Sequence, residues 1–247
     1  MKLALFADIH SNLEALSACL DHARQQGADR HAFLGDLVGY GADPGAVLEL
    51  VEQHVAQGAV AVLGNHDAAV LGRPVEPMTA SAQAAIEWTR AVLSARQRSF
   101  LDGLPMIVRE DPITFVHASA VAPEQWDYVS SPLQAQASMR AAGTTYLFCG
   151  HVHEPVLYYI GAGGRPMPFQ PVPGSAIPIG PHRQWLAIVG SAGQPRDGNY
   201  EACYALLDLP RARLTFFRVP YDVATAAAKV RAAGLPERLA LRLENGG

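Results

Sequence analysis

Over roughly its first 150 residues the chain alternates strand-like runs with helical patterns, and nearly every strand-like run empties into a short polar cluster of His, Asp or Asn. Alternation of that kind argues for an α/β layered fold, with the helices crossing between strands of a largely parallel sheet. Lys2 to Ala7 reads as the first buried strand. Ser11-Asn12-Leu13-Glu14 then has the form of a capping box with Ser11 as N-cap, and Leu13, Leu16, Leu20 and Ala23 follow at helical spacing. The loop between them is short, Asp8 to His10. His31 to Gly35 is the second strand, Asp43-Pro44 opens a helix running to about Gln57, and Ala59 to Gly64 is the third strand. From Ala68 to Leu104 the pattern turns helical, most clearly over Gln83 to Ala95, and is expected to be an insertion lying over the loops, either a lid or a plain packing unit.

The second half reads as mainly β. Met106 to Glu110 and Ile113 to Ala118 are strands joined at Asp111-Pro112, and Ser131-Pro132-Leu133-Gln134 opens another helix by capping logic. Tyr146 to Gly150 is a strand, and Pro155 to Ile160 returns past Gly161-Ala162-Gly163-Gly164 as a hairpin. Leu186 to Gly190, Cys203 to Leu209 and Arg213 to Val219 supply further strands. A helix from Asp222 to Ala233 is expected to end the ordered chain at Gly234-Leu235-Pro236, where Gly and Pro stop signals coincide. The expectation is one domain over residues 1–247.

Composition excludes several classes. Of 247 residues, 49% are apolar and 17% charged, a globular balance. The 19 basic and 23 acidic residues give a net charge of -4 with no basic run, which disfavours nucleic acid as a partner. The longest apolar stretches fall far short of the ~20 residues that span a bilayer. Asp8 and His10 also interrupt the N-terminus too early for a secretory apolar region of about 7–15 residues. Cys19, Cys149 and Cys203 are isolated thiols that fit a reducing compartment, so the expected location is cytoplasmic.

Five of the nine histidines sit in the polar clusters: His10, His66, His117, His151 and His153, with Asp8, Asp36 and Asn65 beside them. Loops at the carboxyl ends of parallel strands converge in space, so these residues are expected to meet. Imidazole, carboxylate and carboxamide donors without thiolates suit catalytic Mn, Fe, Zn or Ni rather than structural zinc. So many ligands would crowd a single ion. Two ions about 3.5–4 Å apart, sharing a carboxylate, are the usual device for phosphoryl displacement. By contrast, His22, His31, His54 and His182 stand alone and read as ordinary surface or core residues. Asp67 reads as turn closure or a helix cap, and Gly161 to Gly164 as a hairpin turn.

In order, the clusters are Asp8-Ile9-His10, Gly35-Asp36, Gly64-Asn65-His66-Asp67, His117 and Gly150-His151-Val152-His153. The set resembles the signature of the calcineurin-like metallophosphoesterases. The stretches Gly35 to Gly41 and Gly193 to Gly198 are similar to a bacterial branch labelled diadenosine-tetraphosphatase-like or serine/threonine-phosphatase-like. The resemblance implies a four-layer α/β/β/α sandwich. It implies a first metal held by Asp8, His10 and His153, a second by Asn65, His117 and His151, and Asp36 between them. Hydrolysis of a phosphoester by a metal-activated hydroxide would follow, with His66 facing the substrate as the acid for the leaving oxygen. Phosphoprotein phosphatases of the family continue G-D as G-D-x-V-D-R-G, whereas Gly39 and Tyr40 stand at those two positions here. That departure argues against protein dephosphorylation and removes one source of phosphate neutralisation. Arg196 is the candidate to replace it, and Tyr40 is a second candidate contact, although it reads first as an ordinary turn residue. The expected substrate is a nucleotide or other small phosphoester. The rivals are a protein serine/threonine phosphatase, a nuclease, and a non-catalytic scaffold of the kind a retromer subunit makes from this fold.

Overall fold

The computed structural model describes residues 1–161 and 163–247. Two six-stranded sheets lie face to face, with helices on both outer sides. In the first sheet β1 (Lys2–Phe6) pairs in parallel with β2 (Arg30–Phe33), and β2 with β3 (Val60–Ala61). Antiparallel β11 (Ala202–Asp208), β12 (Arg213–Val219) and β9 (Ala176–Pro178) complete it. The second sheet centres on parallel β5 (Ile113–Val116), β6 (Tyr146–Cys149) and β10 (Trp185–Ile188). It is flanked by β4 (Ile107–Glu110) beside β5, and by β7 (Val156–Ile160) and β8 (Pro166–Phe169) beyond β10. Ala162, which the sequence reading puts in the hairpin turn, lies outside the described residues.

Strand periodicity explains the layering. Along β1, Leu3 and Leu5, with Ala7 just beyond, pack between the sheets against Phe115, Phe148 and Phe216. Ala4 and Phe6 face the helices instead. Both faces are buried, so the strand reads as a continuous apolar run. On the outside of the first sheet lie α1 (Leu13–Gln25) and α2 (Pro44–Ala56), which bury Leu16, Cys19, Val47 and Val51. On the other side, α6 (Pro132–Ala142) lays Ala135 and Met139 against Leu147 and Leu186. Its N-cap Ser131 accepts from the Gln134 N–H at 3.4 Å. Among the described residues no helix is long and apolar enough to cross a membrane, and all three cysteines are free and buried.

Several sequence expectations need correction. Ser11 is not the cap of α1: its backbone is left-handed (φ 55°), and Asn12 takes the role by accepting from Ala15 N–H at 3.1 Å. The helical insertion starts earlier than Ala68 and is three helices, α3 (Asn65–Val70), α4 (Ala80–Val92) and α5 (Ala95–Asp102). The chain does not end its ordered part at Gly234. After α7 (Val223–Ala232) it turns and forms α8 (Glu237–Asn245). Leu239, Ala240 and Leu243 of α8 pack with Ala226, Ala227 and Val230 of α7 and with Ala82 and Ala85 of α4. The Lys229 ammonium ties α7 inward, donating to Glu14 and, at 2.9 Å, to Asp43.

Candidate metal centre

Parallel strands of both sheets point their carboxyl ends to one edge, and every expected site residue stands just past such an end. Asp8 and His10 follow β1, Asp36 follows β2, and Asn65 and His66 follow β3. From the second sheet come His117 after β5, His151 and His153 after β6, and Arg196 after β10. The loops are bent hard to aim these side chains: Asp8, His10, Asp36, His151 and His153 all adopt positive φ, between 50° and 69°. Such backbones are uncommon outside glycine and cluster at functional sites. Gly64 lets the chain approach Asp36, since a Cβ there would fall 2.1 Å from the Asp36 amide nitrogen.

Three buried groups converge: Asp8, His10 and His153; Asp36, His117 and His151; and His10, Asp36 and His66. The first is the trio expected for one metal, the second joins Asp36 to His117 and His151 with Asn65 Oδ1 3.0 Å from His117 Nε2, and the third brings His66 closer to the cluster than a purely substrate-facing residue need be. The first set has an unusual hydrogen inventory. His10 Nδ1 lies 3.2 Å from the Val38 carbonyl and His153 Nδ1 lies 2.6 Å from the Gln194 carbonyl. A carbonyl only accepts, so each ring carries its proton on Nδ1. Burial pushes both imidazoles well below their ordinary pKa, which keeps them neutral. The two Nε2 atoms therefore turn bare lone pairs toward one another at 3.2 Å. Asp8 Oδ1 is 3.5 Å from His153 Nε2, and Asp36 Oδ2 is 3.6 Å from His10 Nε2. With Asp8 ionised, the acceptors of Asp8, His10 and His153 gather within 4.8 Å of one another with no donor among them, an arrangement that fits a cation.

The second set is alike in donors but differs in charge. His117 Nδ1 donates to the Leu34 carbonyl at 2.8 Å, leaving Nε2 facing Asn65 Oδ1 at 3.0 Å, His151 Nδ1 at 3.2 Å and Asp36 Oδ2 at 3.5 Å. Burial disfavours the charged form of His117, but the Asp36 carboxylate outweighs it and raises the pKa to about 9. Burial likewise opposes charge on Asp36, yet His117, His66 and His10 hold it well below the carboxylate range. So this set demands one positive charge, from a proton or from a metal. Burial and the neighbouring His117 lower His151 to about 3, and burial raises Asp8 to about 7.

Over these groups opens a cavity of about 190 Å³. Its floor is Asn65, His66 and His151, and its walls include Tyr40, Trp126, Tyr128 and the 76–79 segment that leads into α4. The Tyr128 ring, 46% exposed, stacks on His151 at 4.0 Å.

Residues 1–211 match the calcineurin-like phosphoesterase superfamily domain. The chain belongs to that superfamily. It is a metal-dependent phosphoesterase. A metallophosphoesterase from Sphaerobacter thermophilus is 35% identical, with full coverage of both chains and a TM-score of 0.88. An uncharacterized protein of Methanocaldococcus jannaschii is 33% identical over 98% of this chain and 96% of its own. A hypothetical protein from Pyrococcus horikoshii OT3 shares the fold at 21% identity, covering 100% of this chain and 98% of that one, with a TM-score of 0.79.

In this phosphoesterase His66 presents its ring to the cavity, and its Nδ1 has no hydrogen-bond partner. Its backbone N–H donates to Asp36 Oδ1 at 2.8 Å, which fixes its place beside the cluster. Burial lowers the imidazole to about 4 against the pull of Asp36, so it is neutral rather than poised at the ordinary His value that the sequence alone suggests. Asp67 is a cap: it accepts from Gly64 N–H at 2.9 Å and from Val38 N–H at 3.0 Å. Arg196 reaches the cavity wall, with Nη2 3.4 Å from the Tyr40 hydroxyl. His22 bonds the Tyr204 hydroxyl at 2.8 Å, and His31 and His54 pack on each other, all away from the centre. Arg242 of α8 also lines the cavity and was not foreseen. The signal was present, because Leu239 and Leu243 are one helical turn apart with Gly246 just beyond.

Proposed function

We propose that the phosphoesterase hydrolyses small phosphoesters at two metal ions. Asp8, His10 and His153 would hold one, Asn65, His117 and His151 the other, and Asp36 would stand between them. The pair of opposed lone pairs on His10 and His153 carries this reading, because two such lone pairs at 3.2 Å repel unless a cation lies between them. When bound, the ions polarise the phosphoryl oxygens and activate water. The chain's own residues do the rest. His66, neutral and carrying one N–H, donates to the leaving oxygen; a phosphate placed beside it raises its pKa and brings proton transfer within reach. The Tyr40 hydroxyl donates to a non-bridging oxygen from the cavity wall, and Arg196 beside it supplies positive charge to the bound anion. A cavity of about 190 Å³ admits a phosphate and its immediate substituent, a nucleotide or other small ester, and Gly39 in place of the supporting Asp argues against phosphoprotein substrates. A cytoplasmic location is supported by the three free, buried thiols.

Metal analysis after reconstitution with Mn, Fe, Zn or Ni, followed by turnover of phenyl phosphate, mononucleotides and phosphopeptides, tests the proposal. Two ions per chain are expected, falling in Asp36→Asn, with small esters preferred in kcat/KM. A stoichiometry fixed at one and indifferent to Asp36→Asn, or a phosphopeptide preferred over every small ester, would overturn it.

A further inference from the structure

The C-terminal helix α8 lies beyond the residues that match the family domain, yet it reaches the cavity. Its apolar stripe of Leu239, Ala240 and Leu243 is buried against α7 and α4, which leaves Arg242 on the flank turned to the cavity that His66 floors. The far end of α8 is fixed as well. Gly198 N–H donates to the Gly246 carbonyl at 3.0 Å, so the helix is bonded to the same loop that carries Arg196. The backbone segments that carry Arg196 and Arg242 are thus bonded to one another.

Neither has an anion of its own. Among the described residues Arg30, Arg73, Arg96, Arg218 and Arg231 each pair with a carboxylate. Arg196 and Arg242 form no ion pair, and Arg196 makes only long bonds to Tyr40 and Gln194, at 3.4 and 3.3 Å, with its buried Nε unpartnered. Burial and the neighbouring Arg196 and Arg238 charges lower the pKa of Arg242, an effect that Tyr40 only partly offsets. The Trp126 indole N–H, also at the cavity, is a second buried donor without an acceptor. A pocket lined by two guanidinium groups and two unpartnered buried N–H donors, with the exposed Glu76 as the one carboxylate residue in its lining, favours oxygen anions.

We propose that Arg242, with Arg196, forms an anion subsite next to the position of the scissile phosphate, and that the natural substrate is a phosphoester bearing a second anionic group, phosphate or carboxylate, that fills it. The inference rests on the phosphoesterase reading above. Placement supports a second group beside the scissile phosphate: Arg242 stands on α8, outside the strand-end loops that carry the expected metal ligands, and Tyr40 packs against both the His66 ring, at 4.4 Å, and the Arg196 guanidinium carbon, at 5.7 Å. The cavity, at about 190 Å³, is smaller than the ~300–1,000 Å³ typical of sites that enclose a whole drug-sized ligand. The second anion must therefore lie close to the first.

Calorimetric binding to the metal-loaded protein decides the matter with three non-hydrolysable probes: methylphosphonate, methylenediphosphonate and phosphonoacetate. At least one of the two-anion probes should bind wild type about tenfold or more tighter than methylphosphonate, as expected for one added charge-assisted contact. Whichever probe gains more identifies the second group as phosphate or carboxylate. Arg242→Gln should erase the preference and Arg242→Lys, which keeps the charge but not the fork, should reduce it. Arg238→Gln removes the same charge from an exposed position one turn away and should preserve it. Equal binding of all three probes to wild type, a preference that survives Arg242→Gln, or one lost equally in Arg238→Gln would overturn the subsite. Phenyl phosphate turnover by wild type reports separately on the phosphoesterase reading, so the two can fail independently.

Discussion

Gly39 sits directly beneath the His66 ring, so close that a Cβ at this position would lie 2.6 Å from His66 Nδ1. Its φ of +88° adds a second reason for glycine. Gly39→Ala should therefore push the imidazole off its station without touching a metal ligand. The expected result is a fall in kcat for phenyl phosphate of about 10²-fold or more, the lower range of what a positioned acid contributes, with metal content unchanged. Wild-type turnover by Gly39→Ala would show that His66 need not stand where the structure puts it.

His66→Ala should lose most of kcat while retaining both metals, whereas His151→Ala should lose metal. The deficit should grow with the basicity of the leaving group, because a good leaving oxygen departs without help. A series of aryl and alkyl phosphates would display the trend as a steeper dependence of log kcat on leaving-group pKa. A uniform loss across the series would assign His66 to holding the phosphate instead.

Acid sensitivity should arise in part far from the centre. Burial, with the His54 ring beside it, lowers His31 to about 4, and burial lowers His54 as well. In the unfolded chain both titrate near 6.5. Between pH ~6.5 and ~4 the unfolded state thus binds more protons, so stability falls as pH drops through that window and the effect levels off below it. His31→Gln should narrow the difference in Tm between pH 7 and pH 4.5 relative to wild type. An identical pH dependence in the two proteins would remove this pair from the account.

Much of the centre was legible because local patterns set it. A buried apolar strand followed by a short polar cluster is readable in a few residues, and the parallel order carries those clusters to one edge regardless of distant contacts. The cap of α1 was misread for a related reason: Ser11 has the right chemistry, but the turn that aims His10 forces its backbone left-handed and passes the cap to Asn12. β9 was missed because three residues ending in Pro178 carry little strand signal, and only pairing with β12 at the sheet edge makes them a strand. Gly234 and Pro236 read in sequence as a stop and so conceal α8, for which Pro236 is in fact the N-cap. Arg242 went with it, since nothing in sequence links residue 242 to a loop near 196 until the fold brings them together.

Each proposed ligand set draws on both sheets: Asp8 and His10 against His153 in one, Asn65 against His117 and His151 in the other. An ion gripped in this way is a rivet through two plates. Its binding energy counts toward keeping the plates in register, because an ion that binds only the assembled edge favours the assembled form by mass action. Chelation should then be felt beyond catalysis, as slippage between the layers, with earlier hydrogen exchange in β1 and β6 than in strands remote from the edge. The hardest chemistry and the closure of the sandwich would share a single fastening.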